Sequence, residues 1–317
     1  MGSKAGGRPR ALIVGGAGYF GARLSESLAT EMDVTVTYRS KSPARASWLL
    51  DHQIEGIRFD SGEQSELPAG GDFDILVNLA MPGASEAARA PEELTLEQAL
   101  TTSQACLEFL KKGRACRLIH FSTFHVYGGA GREKYLETDV PAPSHPYGRA
   151  HLACEELLLP QAAQHPIFVV RPSNMVGRPA HADLGDHMKL LFLDLCRQAV
   201  RGAIVLGNDG VSHRDFLPFP DAINAIRLLL QAPLRGERLF NLAAGRSIQL
   251  REVARIVEDA ATGQTGRRLG IEFGEGTDPF REPFSVNVSR LEALGWRPVS
   301  RLEDEAAAMV RLFQGES

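Results

Sequence analysis

The chain has 317 residues, 44% of them hydrophobic and 23% charged, with a mean hydropathy of −0.14, which excludes a disordered, collagenous or coiled-coil protein. At roughly 150 residues per domain, this length fits two domains or one large α/β unit. The 35 Lys and Arg residues against 39 Asp and Glu leave a net charge of −4 with no basic run, so nucleic acid is not an expected partner.

The first residues, Met1 to Arg10, are polar and lack an apolar leader, and 1–9 read as a loose tail. No uncharged run reaches the ~18 residues of a membrane span, so a cytoplasmic protein with no membrane partner is expected. Short β-branched runs at 11–14, 34–38, 57–59, 75–79, 118–122 and 167–170 read as strands, alternating with amphipathic helical patterns. Phe20, Leu24 and Leu28 form one core-facing stripe. Leu96, Leu100, Cys106 with Leu107, and Leu110 form another, after a Thr95-x-x-Gln98 capping box. This alternation implies a parallel sheet covered by helices on both faces. Beyond Pro172 the pattern loosens, with Gly and Pro clusters near 177–185, 207–210, 274–283 and 295–298, and the chain closes on a helical stripe of Leu302, Ala306, Met309, Val310 and Phe313. Cys106, Cys116, Cys154 and Cys196 form no C-x-x-C unit and fit reduced core thiols. The nine histidines have no ligand spacing, so no metal is expected.

Directly after the first strand, Gly15, Gly18 and Gly21 stand in a G-x-x-G-x-x-G spacing before a helix. Such a turn needs glycine where φ is positive and where backbone approaches a pyrophosphate, and the N–H groups of the first helical turn, here Tyr19 and Phe20, then hold the anion. A bare tight turn is the alternative, which the strand before and the helix after disfavour. The second strand ends in Tyr38-Arg39-Ser40-Lys41, without the acid that accepts from the 2′-hydroxyl of NAD. Arg39 with Ser40 can clamp a 2′-phosphate instead, which favours NADP(H) and leaves NAD(H) open; a solvated basic loop is the other reading.

The fifth strand runs into Phe121-Ser122-Thr123-Phe124-His125-Val126-Tyr127-Gly128, and a helix opens through Tyr147. A strand-end hydroxyl and a facing Tyr can converge on one carbonyl or alcohol oxygen, the Tyr passing a proton while a nicotinamide passes a hydride. Residue 151 lies one turn beyond Tyr147 on the same helix face.

With these motifs the chain resembles the extended short-chain dehydrogenase/reductases, the NAD(P)-dependent epimerase/dehydratase group that works largely on nucleotide-linked sugars. The resemblance rests also on Asp60, Asn78-Leu79-Ala80, Glu155, Arg171-Pro172-Ser173-Asn174, Gly207 to Gly210, Arg214-Asp215-Phe216, Phe240-Asn241-Leu242 and Leu294-Gly295-Trp296, and runs from about 11 to 312. It implies an α/β fold: a Rossmann-like doubly wound parallel sheet at 1–171 plus about 217–242, with a smaller mixed α/β C-terminal substrate-binding lobe at 172–216 and 243–317. It further implies that Thr123 shares the substrate oxygen with Tyr147, that Asp60 contacts the adenine, and that Ala80 lies along the cofactor. By the same resemblance Pro172 meets the nicotinamide, Asn174 and Arg214 hold the substrate's phosphates, and two copies pair as a homodimer through the helices near 95–110 and 147–159. An Arg214–Asp215 ion pair is the competing reading for the arginine.

The sequence also departs from that family. Where Tyr-x-x-x-Lys is expected it has Tyr147-x-x-x-His151, and an imidazole, largely neutral near pH 7, activates Tyr147 less while still able to hold the nicotinamide ribose. The acidic pair of the dehydratases is replaced by Phe124 and His125, which disfavours dehydration; His125 is either an added acid/base or a packing residue. The helix at 95–110 lacks the Asn that many relatives place there, offering Ala99, Thr101, Thr102 and Ser103 instead. Three functions are consistent with these residues: an NADP-dependent ketoreductase of a nucleotide-activated keto (deoxy)sugar, a nucleotide-sugar epimerase, and a non-catalytic NADP-binding sensor. The retained Thr123 and Tyr147 argue against the last.

Overall fold

The structure is a computed structural model that describes residues 7–63, 66–67, 72–181, 184, 190–233 and 236–315. In the first half, β1 (Arg10–Val14), α1 (Tyr19–Ala29), β2 (Asp33–Tyr38), α2 (Pro43–Asp51), β3 (Glu55–Arg58), β4 (Ile75–Asn78), α3 (Ala84–Ala87), α4 (Glu92–Lys111) and β5 (Leu118–Phe121) follow in order. A 3-10 turn (Phe124–Tyr127), β6 (Lys134–Tyr135), α5 (Pro146–Leu158), β7 (Ile167–Pro172) and β8 (Asn174–Val176) come next. The remainder comprises α6 (Leu191–Arg201), β9 (Ala203–Asn208), β10 (His213–Pro218), α7 (Phe219–Gln231), β11 (Leu239–Leu242), β12 (Ser247–Gln249), α8 (Leu250–Thr265), β13 (Gly270–Gly276), β14 (Ser285–Val286), α9 (Ser289–Glu292) and α10 (Leu302–Phe313).

Seven strands form one sheet in the order β11-β7-β5-β4-β1-β2-β3, every pair parallel. The Ala-Leu-Ile-Val run of β1 and the Ile-Leu-Val-Asn run of β4 are buried throughout, as central strands covered on both faces must be. From β1 the chain winds one way through β2 and β3, then crosses back to β4, β5, β7 and β11, so the order reverses between β1 and β4. At such a point the helices depart to opposite faces and leave a crevice beyond the carboxyl ends of the strands. Smaller sheets pair β12-β10-β8, β13-β9 and β14-β6. The last of these joins Ser285 and Val286 to Lys134 and Tyr135, and Phe284 and Val286 pack there against Phe124, Val126, Tyr127 and Tyr135. The stripe on α10 buries Ala306, Met309 and Val310, with Leu302 and Phe313 partly buried against the same core.

Several local expectations need correction. No capping box stands at Thr95 and Gln98: the N-cap of α4 is Pro91, four residues earlier, and the Thr95 hydroxyl donates back to the Pro91 carbonyl (3.3 Å). Glu92 and Glu93 supply the negative charge that favours this earlier start. Of the tail at 1–9, residues 1–6 lie outside the described residues, but the Arg8 guanidinium donates to the Ala29 and Met32 carbonyls (2.8 and 3.3 Å) and Asp33 N–H donates to Pro9 (2.8 Å). That part of the tail is tied down. Within the cluster at 177–185, positions 182–183 and 185 also lie outside the described residues. Cys116 is exposed, so only Cys106, Cys154 and Cys196 are core thiols.

Candidate active site

Gly15 is the turn residue that needs left-handed backbone, at φ +77°, and a Cβ there would lie 2.9 Å from the Ala80 nitrogen. A Cβ on Gly21 would meet the Gly15 carbonyl oxygen at 2.5 Å, so Gly21 is required for close packing of α1 under the turn, not for its dihedral angles. Gly18, in extended backbone, is the N-cap of α1 and brings no side chain to cover the N–H groups of its first turn. Tyr19 and Phe20 therefore offer backbone donors only. The Tyr19 hydroxyl donates to the Gly177 carbonyl, and the Phe20 ring packs 5.4 Å from Phe121 and 5.2 Å from Phe219.

A cavity of about 320 Å³ opens beside this turn, at the reversal point of the sheet, and Gly15, Gly18, Arg39, Ser40, Asp60 and Ala80 all line it. So do Thr37 and Arg45, which sequence reasoning missed, and Gln98 and Thr102, which it named only as a cap residue and as a neighbour of the missing Asn. The Thr37 hydroxyl takes the Gly15 N–H (2.9 Å), fixing the turn to β2. Arg45 stands in the first turn of α2, its guanidinium donating to the Ser40 carbonyl and lying over the Tyr38 ring (5.7 Å). Ser42-Pro43, a cap followed by an N1 proline, was the signal that could have located it. Arg39 is exposed and pairs with Glu86 of α3 (2.9 Å). Bare helix N–H groups at one end and a double-arginine corner at the other suit a dinucleotide carrying an extra phosphate.

The second group of side chains gathers where β5 ends. Thr123 caps the 3-10 turn, its hydroxyl accepting the His125 N–H (3.3 Å). Tyr147 lies in the first turn of α5, whose N-cap is His145: the imidazole Nδ1 accepts the Gly148 N–H (3.1 Å). Burial raises the Tyr147 phenol above its usual range, and a hydrogen bond with Thr123 offsets this only in part. His151 packs against Tyr147 with ring centroids 4.5 Å apart and is 3% exposed. Burial, then the neighbouring His120 and His125, hold it well below the ordinary histidine range, with only the Phe121 carbonyl offsetting this before His145 lowers it further. It is neutral at pH 7. His125 is pushed down to about 4 by burial and then by His145 and Arg214, and its ring lies 5.8 Å from Tyr147.

A buried ionic network fixes this corner. Ser122 donates to Glu155, which Arg171 clamps through two hydrogen bonds (2.9 and 2.6 Å), and Arg171 lies over the Tyr127 ring (4.7 Å), whose hydroxyl donates to Asn241 (2.6 Å). These bonds connect β5, α5, β7 and β11. On the side of the small sheets, Asn174 donates its amide to the Asp215 carbonyl (2.8 Å), and Pro172 is buried at the end of β7, away from the cavity lining. Arg214 pairs with Asp278, not Asp215, and lies over Phe280 (5.0 Å). Asp215 turns inward to accept from the Ser173 hydroxyl and the Ala244 N–H. Among the described residues no group of histidines, cysteines and acids is arranged to hold a metal ion, and no helix is long and apolar enough to cross a membrane.

The chain is similar to known proteins over most of its length. UDP-glucose 4-epimerase of Streptomyces lividans is 26% identical over 90% of this chain and 91% of its own length, and dTDP-4-dehydrorhamnose reductase of Shigella flexneri is 29% identical over 62% of each. The solved structure of RMD from Pseudomonas aeruginosa complexed with NADPH superposes with a TM-score of 0.77 at 21% identity, covering 98% of this chain and all of that one. The model of the NAD dependent epimerase/dehydratase family matches residues 11–243, spanning the glycine turn, Thr123, Tyr147 and all seven strands of the main sheet except the first residue of β1. The chain belongs to that family of nucleotide-sugar epimerases, dehydratases and reductases.

Proposed function

We propose that the protein is an NADP-dependent ketoreductase of a nucleotide-activated keto sugar. The observation that carries this reading is the state of Tyr147: half-buried, beside the Thr123 hydroxyl and packed against a neutral imidazole in place of a cation, it keeps its proton at pH 7. A protonated phenol is the form that donates to a developing alkoxide; a tyrosinate is the form that starts an oxidation. Thr123 shares the same oxygen, and the nicotinamide, when bound, supplies the hydride. The proposed cofactor contacts are the backbone N–H groups at Gly18 to Phe20, Arg39, Ser40 and Arg45 on the 2′-phosphate, Asp60 on the adenine, Ala80 along the dinucleotide, and Pro172 and His151 at the nicotinamide ribose end. Asn174 and Arg214 are proposed for the substrate's phosphates. In the same reading 1–171 with 217–242 hold the cofactor, 172–216 with 243–317 hold the substrate, and the protein is a homodimer.

The test is turnover of NADPH with a 4-keto sugar nucleotide. The expected result is stoichiometric consumption, with Tyr147→Phe lowering kcat by roughly 100- to 10,000-fold. Interconversion of two sugar nucleotides on a retained cofactor, without net consumption, would make the protein an epimerase. Cofactor binding with no turnover, unaltered in Tyr147→Phe, would make it a sensor.

A further inference from the structure

Three aromatic rings meet in front of Thr123. His145 stacks on Tyr147 with centroids 6.0 Å apart, His125 meets Tyr147 edge-on at 5.8 Å, and the His145 Nε2 lies 3.2 Å from the His125 Nδ1. The hydrogen-bond roles along this line follow from a single fixed donor. A backbone N–H can only donate, so the His145 Nδ1 that receives it from Gly148 carries a lone pair. In a neutral imidazole the proton then sits on Nε2, which donates to the His125 Nδ1. That nitrogen must in turn carry a lone pair, so the His125 proton sits on its own Nε2. Burial holds both rings below the usual histidine range, which keeps them neutral at pH 7. No described residue pairs with the His125 Nε2, and it is not among the buried polar atoms that lack a partner.

We propose that His145 is a positioning residue: by capping α5 it locks His125 in one tautomer, so that His125 presents an Nε2–H donor to an oxygen of the bound sugar beside Tyr147. This rests on the ketoreductase reading and refines it. A His125 whose only other nitrogen is engaged as an acceptor from His145 has no free lone pair with which to take a proton from carbon. His125 is thus a hydrogen-bond donor that selects a sugar with an oxygen at that point, not a second base. The His125 Nδ1 is filled by the His145 donor, and Arg214, the nearby cation that could compete as a donor, is paired with Asp278.

The test is the ring-nitrogen NMR spectrum of the full chain labelled with 15N-histidine, which distinguishes an Nδ1–H from an Nε2–H imidazole. In the unmodified protein the His125 signals should show the Nε2–H form from pH 6 to 8. His145→Asn retains a good helix cap but is too short to reach His125. It should fold with the same Tm within a few degrees, shift the His125 signals toward an average of two tautomers and raise KM for the sugar nucleotide about tenfold with little change in kcat. His125→Gln, which keeps an N–H donor, should retain more of the sugar affinity than His125→Phe. An Nδ1–H form in the unmodified protein, or unchanged His125 signals in His145→Asn, overturns the proposal. Absence of NADPH turnover with normal tautomer signals would instead overturn the ketoreductase reading and leave the positioning intact.

Discussion

Tyr147 sits among uncharged rings, and the consequence is directional. His151→Lys would return a cation to the position one turn from Tyr147, stabilise the tyrosinate, and raise alcohol oxidation at pH 7 by about tenfold or more while changing ketone reduction little. Paired pH–rate profiles in both directions check this, and equal oxidation rates in the two proteins would remove the argument. In the cavity beside the glycine turn, Arg45→Ala should lower the preference for NADPH over NADH roughly tenfold, in line with the loss of one charge-assisted hydrogen bond. Glu86→Gln, which releases Arg39 from its ion pair, should act in the opposite direction; KM values for both cofactors measure each. Arg39, Ser40, Thr123, Tyr147 and His151 were legible in the sequence because each follows a strand end or a fixed helical spacing. Arg45, the cavity role of Gln98 and Thr102, and the pairing of Arg214 with Asp278 were not, since the first three meet only where α2 and α4 face one cavity and the last joins β10 to the loop after β13. His145 was hidden differently: a histidine acting as an N-cap has no strong sequence signature.

Among the elements, the Glu155–Arg171 pair is the joint on which the catalytic corner depends. Both side chains are almost fully buried, so Glu155→Gln or Arg171→Met leaves one charge without its partner and should cost about 3 to 5 kcal/mol of stability, measured by urea unfolding. The same change should loosen the register of Thr123 against Tyr147, since the Ser122 hydroxyl donates to the Glu155 side chain that Arg171 holds in place. A second joint lies at Asp221, buried in α7, whose carboxylate accepts from the Val299 and Ser300 N–H groups and the Ser300 hydroxyl while its carbonyl takes the Trp296 indole. Asp221→Ala should cost about 1 to 3 kcal/mol, because several partly buried donors lose their acceptor together. Strands and amphipathic helices were legible here through their periodicity, within a residue or two at each end. The start of α4 was not, because Pro91 with Glu92 and Glu93 outweighed a Thr-x-x-Gln pattern that resembles a cap.

For the whole molecule, the histidines set the acid limit. His120 and His125 are held down to about 3 and about 4 by burial, and His151 is held well down too, all against an unfolded value near 6.5. Below pH 6.5 the unfolded chain therefore binds protons that the folded chain refuses. Stability is fully present above that pH and is lost as pH falls toward 4, by roughly 1 to 2 kcal/mol per buried ring at pH 5. Asp215 has the opposite sign: burial raises it to about 6, so its contribution is present below its unfolded value and fades as pH rises through 6. Three histidines outweigh one aspartate, and the urea midpoint should fall between pH 7 and pH 5, more steeply in Asp215→Asn. A flat profile would contradict the burial of these rings.

The pairing of β6 with β14 bears on synthesis. Tyr135 and Phe124 are made early, but the strand and the Phe284 ring that cover them come about 150 residues later. A nascent chain with its nucleotide-binding turn already complete must carry an open aromatic patch until the ribosome has passed residue 286. Released chains ending at 283 should accordingly bind a hydrophobic dye or a chaperone, and released chains ending at 315 should not.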